Sequence, residues 1–350
     1  MKLRYAFLLL FPLWSTSCKK ENGDALSQAE YVGRTLYAFR TPEGFPAPTL
    51  PANNVMTVEG VELGKKLFFD PLLSGDQSMT CASCHFQEFA FTDTARYSAG
   101  ITGALGFRNS MTLFNLAWAP QFFWDGGASD LESQVLGPIT SDIEMHRSMV
   151  SLVSDLYADA GYRSAFKKAF GVETIESMHV MKALAQFMRT MVSSDSRYDR
   201  YLKGEASLND QEILGMQLYS NPQKGACASC HVLGGLFTDF GYRNTGLDLN
   251  YSDLGRGRIT LQESDMGKFK TPSLRNIALT APYMHDGRFT TLEQCVQHYN
   301  SGFQAHPNLD PVLAALPQNR LSTGEMQAIV AFLGTLTDTT FIHNSEYQAP

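Results

Sequence analysis

Beyond its first fourteen residues the chain has no long apolar run, and nowhere does it show a series of alternating strands or a low-complexity segment. The first absence excludes a membrane-spanning mature domain. The second excludes a β-sandwich or barrel. The third, with 18% charged residues, excludes a disordered chain. Positive charge is in deficit: 28 Lys and Arg against 35 Asp and Glu give a net charge of −7. That balance argues against a nucleic-acid partner and permits docking to a basic patch on another protein. Cysteine is scarce too, six in 350 residues, which makes the placement of those six informative.

What is present begins with an export signal. In "MKLRYAFLLLFPLWSTSC", Lys2 and Arg4 precede an apolar run from Ala6 to Trp14 and then small residues before Cys18. The run is too short to span a bilayer as a mature helix. Small residues directly before a Cys resemble a bacterial lipoprotein cleavage site, so Cys18 is the expected lipid-attachment residue, with a plain signal peptide as the alternative. Cleavage after residue 17 removes Lys2 and Arg4 and takes the charge from −7 to −9. "KKENGD" then reads as a polar tether. The expected location is the periplasm, with membrane contact only through the N-terminal lipid.

The pentapeptide "CASCH" occurs at 81–85 and again at 227–231. An exported chain favours disulfides, but C-x-x-C-H is the attachment signature of c-type haem. Two thiols reach the vinyl groups of one porphyrin, and the following His lies under the iron. A redox C-x-x-C does not need that His, and a zinc site would need a second ligand pair. Cys81, Cys84 and His85 are therefore expected to hold haem 1, and Cys227, Cys230 and His231 haem 2. Cys295 is left over in a helical pattern and reads as a buried, inert thiol.

The two motifs belong to a longer internal repeat. "LGKKLFFDP" (63–71) resembles "LGMQLYSNP" (214–222), and "FTD" follows each motif at the same distance. Residues 108–135 align without gaps on 269–296, with Leu113/Leu274, Asn115/Asn276, Asp125/Asp286, Gly126/Gly287 and Glu132/Glu293 identical. "AQFMRTM" (185–191) parallels "VAFLGTL" (330–336). Apolar residues at helical spacing mark "VELGKKLFF", "QEILGMQLY", "SMVSLVSDLYADAGYRSAFKKAF", "MHVMKALAQFMRTMV" and "GEMQAIVAFLGTL", with Gly- and Pro-bearing loops between them. The expected fold is mostly α, with two tandem cytochrome c-like domains each wrapping one covalently bound haem. The expected organisation is a signal at 1–17, a tether and extension at 18–55, haem domains at 56–200 and 201–343, and a tail at 344–350.

Two "CASCH" motifs, "GFRNSMTLFNLAW", "FFWDGGASDLESQVLGPITSDIEM" and "LRNIALTAPYMHDG" together resemble the bacterial di-haem cytochrome c peroxidases and their MauG-type relatives, over nearly the whole mature chain. The resemblance implies an enzyme in which the N-terminal haem reduces hydrogen peroxide. The C-terminal haem then receives electrons from a small cytochrome c or cupredoxin. It also allows a homodimer.

The repeat offset pairs Tyr299 with Pro138. A phenol can ligate iron and a proline cannot, so haem 2 can be six-coordinate while haem 1 keeps an open position. On spacing alone, Tyr299 is equally a core aromatic and Pro138 a kink. The resemblance places Tyr299 where the distal ligand of haem 2 lies, a position with Met in most peroxidases and Tyr in MauG-type enzymes. His298 is its neighbouring rival. The resemblance further makes Glu144 the acid–base catalyst, a role otherwise open to His146. It makes Gln134 a pocket amide and Trp124 the relay between haems. His285, the repeat counterpart of Trp124, is unassigned. A bridging Ca²⁺ is implied at Asn109, Thr280 and Pro282, by one Asn side chain and backbone carbonyls.

The loop after the first "FTD" lacks the His that blocks haem 1 in many of these peroxidases, so an open resting pocket is expected. The leading function is peroxide reduction. The alternatives are a MauG-type enzyme oxidising residues of a partner protein, and a di-haem electron carrier with both irons closed.

Overall fold

The repeat is visible first as two helix pairs that cross at glycine. The computed structural model describes residues 33–350, so Cys18 and the export signal lie outside the described residues. The principal helices are α1 (Val58–Phe68), α2 (Leu131–Thr140), α3 (Met149–Ala158), α4 (Ala160–Phe170), α5 (Ser177–Thr190), α6 (Arg197–Leu202), α7 (Asp210–Ser220), α8 (Leu292–Gln297) and α9 (Thr323–Gly334). Helix α1 packs on α5, and α7 on α9. A Cβ on Gly64 of α1 would lie 1.9 Å from the Ala183 carbonyl oxygen, and one on Gly215 of α7 would lie 1.9 Å from that of Ala328. The Cβ atoms of Phe187 and Phe332 follow, each at 2.9 Å. Two sequence-distant glycines thus perform the same task, letting a helix backbone touch its partner.

Each pair anchors its own hydrophobic core. One core gathers Leu67, Phe68, Phe91, Leu131, Phe166 and Phe187. The other gathers Tyr198, Tyr219, Phe237, Ile329, Phe332 and Leu336. Phe341 and Tyr347 near the C-terminus join the first core, and Gln87 Nε2 donates to Asn344 O at 2.8 Å. The chain end therefore returns to the half it began from. The apolar run 148–170 is broken at Asp159, which is extended; its carboxylate accepts from Tyr162 N at 2.8 Å and caps α4. Residues 34–350 form one compact unit.

The halves are joined by a pseudo-symmetric exchange of arginines at the identical Asp125 and Asp286. Asp125 accepts from Arg108 Nη1 at 2.7 Å and from Arg258 Nη2, of the second half, at 2.6 Å. Asp286 pairs with Arg288 and with Arg96 of the first half at 3.4 Å. Arg108 continues to Asp253 at 2.6 and 2.8 Å. Beside this seam lies the only sheet among the described residues, β1 (Tyr242–Arg243) antiparallel to β2 (Phe269–Lys270). Lys270 N donates to Trp124 O at 2.7 Å and ties β2 to the first half.

Gly215→Ala should lower stability by about 1–3 kcal/mol, the usual cost of overpacking a close contact. Gly334→Ala, with nothing within 4 Å of its Cβ, should be neutral or stabilising. Thermal melts of both variants check the pair; equal melting temperatures would contradict the glycine-crossing account.

Candidate functional site

Both "CASCH" segments fold alike. Cys81–Ser83 and Cys227–Ser229 are single 3-10 turns. The His85 and His231 amides close back on the first cysteine carbonyl at 3.1 and 2.9 Å. This puts two thiols and an imidazole on one short segment. The five described cysteines are all free thiols, so neither C-x-x-C pair is a disulfide. Burial pushes Cys81 and Cys227 up to about 12, and Cys230 up to about 11, so they stand as neutral thiols.

The histidines are oriented by backbone carbonyls. His85 Nδ1 lies 2.8 Å from Phe91 O. His231 Nδ1 lies 3.0 Å from Pro272 O and 3.3 Å from Phe237 O. A carbonyl only accepts, so Nδ1 carries the proton and Nε2 keeps its lone pair for a metal. Burial pushes the His85 pKa down and that of His231 down to about 4, which keeps both rings neutral. Phe91 and Phe237, the first residues of the two "FTD" triplets, both take a positive φ, 60° and 52°. The repeated triplet is thus the turn that aims the histidine.

The second motif opens on a cavity of about 230 Å³, far more than the ~30 Å³ share of one water. Cys227, Cys230, His231, Tyr299 and Cys295 line it, with Leu274, Ile277, Ile329 and Leu333 as apolar wall. Free thiols, an imidazole with a free Nε2 and an apolar slot fit a covalently held haem. Tyr299 lies in a π-turn, His298–Gly302, that follows α8, an irregularity common at functional sites. The repeat partner Pro138 sits inside the regular helix α2. His298 Nε2 is committed to Thr245 O at 2.9 Å, and His298 does not line the cavity. Burial pushes the Tyr299 hydroxyl pKa up, with Cys295 next in effect. Cys295 is itself pushed up to about 12 by burial, an unreactive thiol facing the same cavity.

Around the first motif, helix α2 carries half-buried Gln134 and Pro138, and the following turn carries Glu144. That turn folds back on the helix: Met145 N donates to Pro138 O at 3.1 Å and Arg147 N to Ile139 O at 2.7 Å. Ile101 N donates to Glu144 O at 2.9 Å, which docks the loop after "FTD" onto the same turn. Glu144 is accessible to solvent, yet burial pushes its pKa up, opposed by a hydrogen bond from Ser141. Its charge is felt at Cys84, whose thiol is pushed up by burial first, then Asp93, with Glu144 a smaller contributor. His146 instead turns to Asp142 at 2.9 Å, both side chains well exposed. Gln134, Pro138 and Glu144 therefore fall on one helix–turn unit, separate from the turn that carries Cys81, Cys84 and His85.

Trp124 directly precedes Asp125 of the seam. Its Nε1 donates to Asn109 O at 2.8 Å, and it lines the second cavity together with Asn109, Thr280, Pro282 and His285. Asn109 Nδ2 donates to Ala95 O and Arg96 O at 3.2 and 3.3 Å. Among the described residues no group of three or more His, Cys, Asp or Glu is placed to hold a metal ion. His285 stacks on Phe269, centroids 3.6 Å apart, and its pKa is pushed down to about 4 by burial. Sequence reasoning missed Lys270, a buried lysine in this cavity whose Nζ donates to Gln121 O at 2.6 Å. Burial pushes its pKa down to about 8, against the pull of Asp125. Its repeat position is that of Asn109, and that substitution was the available signal.

In the haem-loaded protein, Tyr299→Phe should remove the sixth ligand of haem 2, and His298→Ala should leave it in place. Optical and electron paramagnetic resonance spectra of the two variants check this; the opposite pattern assigns the ligand to His298.

The chain is similar to known proteins over most of its length. A family model described as di-haem cytochrome c peroxidase matches residues 58–207 and 210–343. The methylamine utilization protein MauG of Methylorubrum extorquens is 39% identical over 335 residues, 92% of this chain and 90% of that protein. The cytochrome c551 peroxidase of Nitrosomonas europaea is 34% identical over 304 residues, 83% of this chain and 84% of its own length. A crystal structure of a MauG-like protein associated with microbial copper homeostasis superposes with a TM-score of 0.82 at 35% identity, covering 90% of this chain and 99% of that one. With both haem motifs folded alike and the match running through both halves, the chain belongs to the di-haem cytochrome c peroxidase family.

Proposed function

We propose that the protein reduces hydrogen peroxide to water with electrons from a small redox protein, a cytochrome c or a cupredoxin. The supporting observation is the asymmetry of two otherwise equivalent sites: Tyr299 faces the second cavity, while its counterpart Pro138 offers no donor and Glu144 stands nearby. Haem supplies, when bound, an iron that takes up peroxide oxygen and exchanges electrons. His85, oriented by Phe91 O, would hold the first haem, and His231, oriented by Pro272 O and Phe237 O, the second.

Glu144 moves the proton. Splitting the O–O bond heterolytically requires a proton to leave the near oxygen and arrive on the departing one, and a single carboxylate can do both. Its raised pKa suits this, since a proton taken by a weaker acid is held long enough to be passed on. Gln134 on the adjoining helix borders the same space. Two electrons and two protons per peroxide give two waters. Trp124, anchored by Asn109 O, is the relay between the sites, and Tyr299 closes the electron-entry side. No histidine occupies the loop 94–108, which supports a first site open at rest. A Ca²⁺ held by Asn109, Thr280 and Pro282 would stiffen the seam beside Trp124. Export to the periplasm and a lipid on Cys18 complete the reading.

A second reading is supported by Tyr299 itself and by the MauG relatives: an enzyme of that type, oxidising residues of a partner protein. Mixing the holoprotein with H₂O₂ and reduced cytochrome c separates the two. Rapid oxidation of the cytochrome supports the peroxidase. A persistent oxidised state without turnover supports the second reading. No reaction returns the chain to electron carriage.

Glu144→Gln should leave both haems attached and cut turnover by about 10²–10⁴. The base form is the carboxylate, and its pKa is raised. Turnover should therefore fall, as pH drops, at a higher pH than an ordinary glutamate would give. A pH–rate profile checks this: the acid limb should vanish in Glu144→Gln, and an unchanged limb removes Glu144 from the mechanism.

A further inference from the structure

The π-turn bearing Tyr299 is held from outside by one loop, residues 317–321. Arg320 Nη1 donates to Tyr299 O at 2.8 Å. On the next residue, Asn300 Nδ2 donates to Leu321 O at 3.1 Å, Leu321 N donates to Asn300 Oδ1 at 2.9 Å, and Asn319 N donates to Asn300 O at 2.8 Å. His298, on the other side, is tied to Thr245 O. Three consecutive residues of the turn are therefore fixed, Tyr299 and Asn300 to this loop and His298 to Thr245.

Arg320 also reaches the opposite side of the cavity. Its Nε donates to Lys224 O and its Nη2 to Gly225 O at 3.5 Å, in the loop that runs directly into Cys227. Lys224 Nζ answers with a bond to Arg320 O at 3.2 Å and an ion pair to Glu325 at 2.8 Å. All four hydrogen-bond acceptors of the guanidinium are backbone carbonyls, Pro317 O at 3.5 Å being the fourth. A planar, rigid fork that spans several carbonyls fixes their relative positions, which a flexible ammonium does less well.

We infer that Arg320 is the positioning residue that keeps haem 2 closed: it locks the Tyr299 turn to the haem-attachment loop, so that the phenol stays over the iron held by His231. The inference rests on the reading of Tyr299 as the sixth ligand. It assigns the division of labour between the haems to a residue that touches neither iron. In the first half, the turn after α2 is tied to its own helix, to the loops at Gly75 and Ile101 and, through Arg147, to Asp155 of α3, and among the described residues no arginine links it to the residues just before Cys81.

The test uses the haem-loaded ferric protein and cyanide, which occupies any open iron. Wild type should bind one cyanide per chain, Arg320→Ala two, and Arg320→Lys should restore closure in part. Asn300→Ala, which loosens the same turn without touching the attachment loop, serves if Arg320→Ala does not fold; it should also admit a second cyanide. Optical and paramagnetic spectra should show loss of the Tyr299 signature in both alanine variants. One cyanide in wild type and one in the variants, with unchanged haem 2 spectra, overturns the role of Arg320 alone. Two cyanides in wild type overturn the Tyr299 reading and this inference with it.

Discussion

Asp125 is completely buried, and the arrangement of the two halves turns on it. Burial alone would raise its pKa, but Arg108 and Arg258 hold the carboxyl below its ordinary value, so it stays ionised between two guanidinium groups. An ion pair taken out of water adds little net stability. Removing one partner, however, strands a charge and costs about 3–5 kcal/mol. Such a site therefore fixes geometry more than it adds stability. The geometry it fixes matters here because Trp124 is the preceding residue, and Arg258 reaches across from the other half. Trp124, the proposed relay, is held in place by the contact that joins the halves.

The pseudo-symmetry of that seam also shows how one duplicated unit came to offer two different environments. The backbone work was kept on both sides: glycine crossings, 3-10 turns at the cysteines, carbonyls aimed at Nδ1 of each histidine. The differences lie in single side chains at related positions. Tyr299 stands against Pro138, Cys295 against Gln134, His285 against Trp124, and Lys270 against Asn109. Each pair differs in donor atoms or charge, while the backbone features just named are common to both halves. On the proposed reading, a closed site suits electron transfer and an open one suits peroxide, and divergence at these positions lets one fold perform both steps.

Much of this was written plainly in the chain. Two C-x-x-C-H pentapeptides specify covalent haem because the chemistry needs those atoms at that spacing. The apolar period marked the segments that form α1, α7 and α9. Where the periodicity misled, at Asp159, a carboxylate preferred to cap α4 rather than continue α3. Local hydrogen bonding there outweighed the apolar pattern.

The sequence by itself determined the cofactor chemistry, the duplication and the candidate ligands, because those depend on residue type and spacing. Only the tertiary structure decided which neighbour faces the cavity. His298 and Tyr299 are both able to ligate iron, and the choice rests on a π-turn and on a carbonyl of Thr245 that is distant in sequence. The same holds for Arg320 and Lys270. No local motif marks them, because their roles come from carbonyls and a cavity wall assembled by chain segments far apart, and hydrogen bonds of that kind leave no period to read.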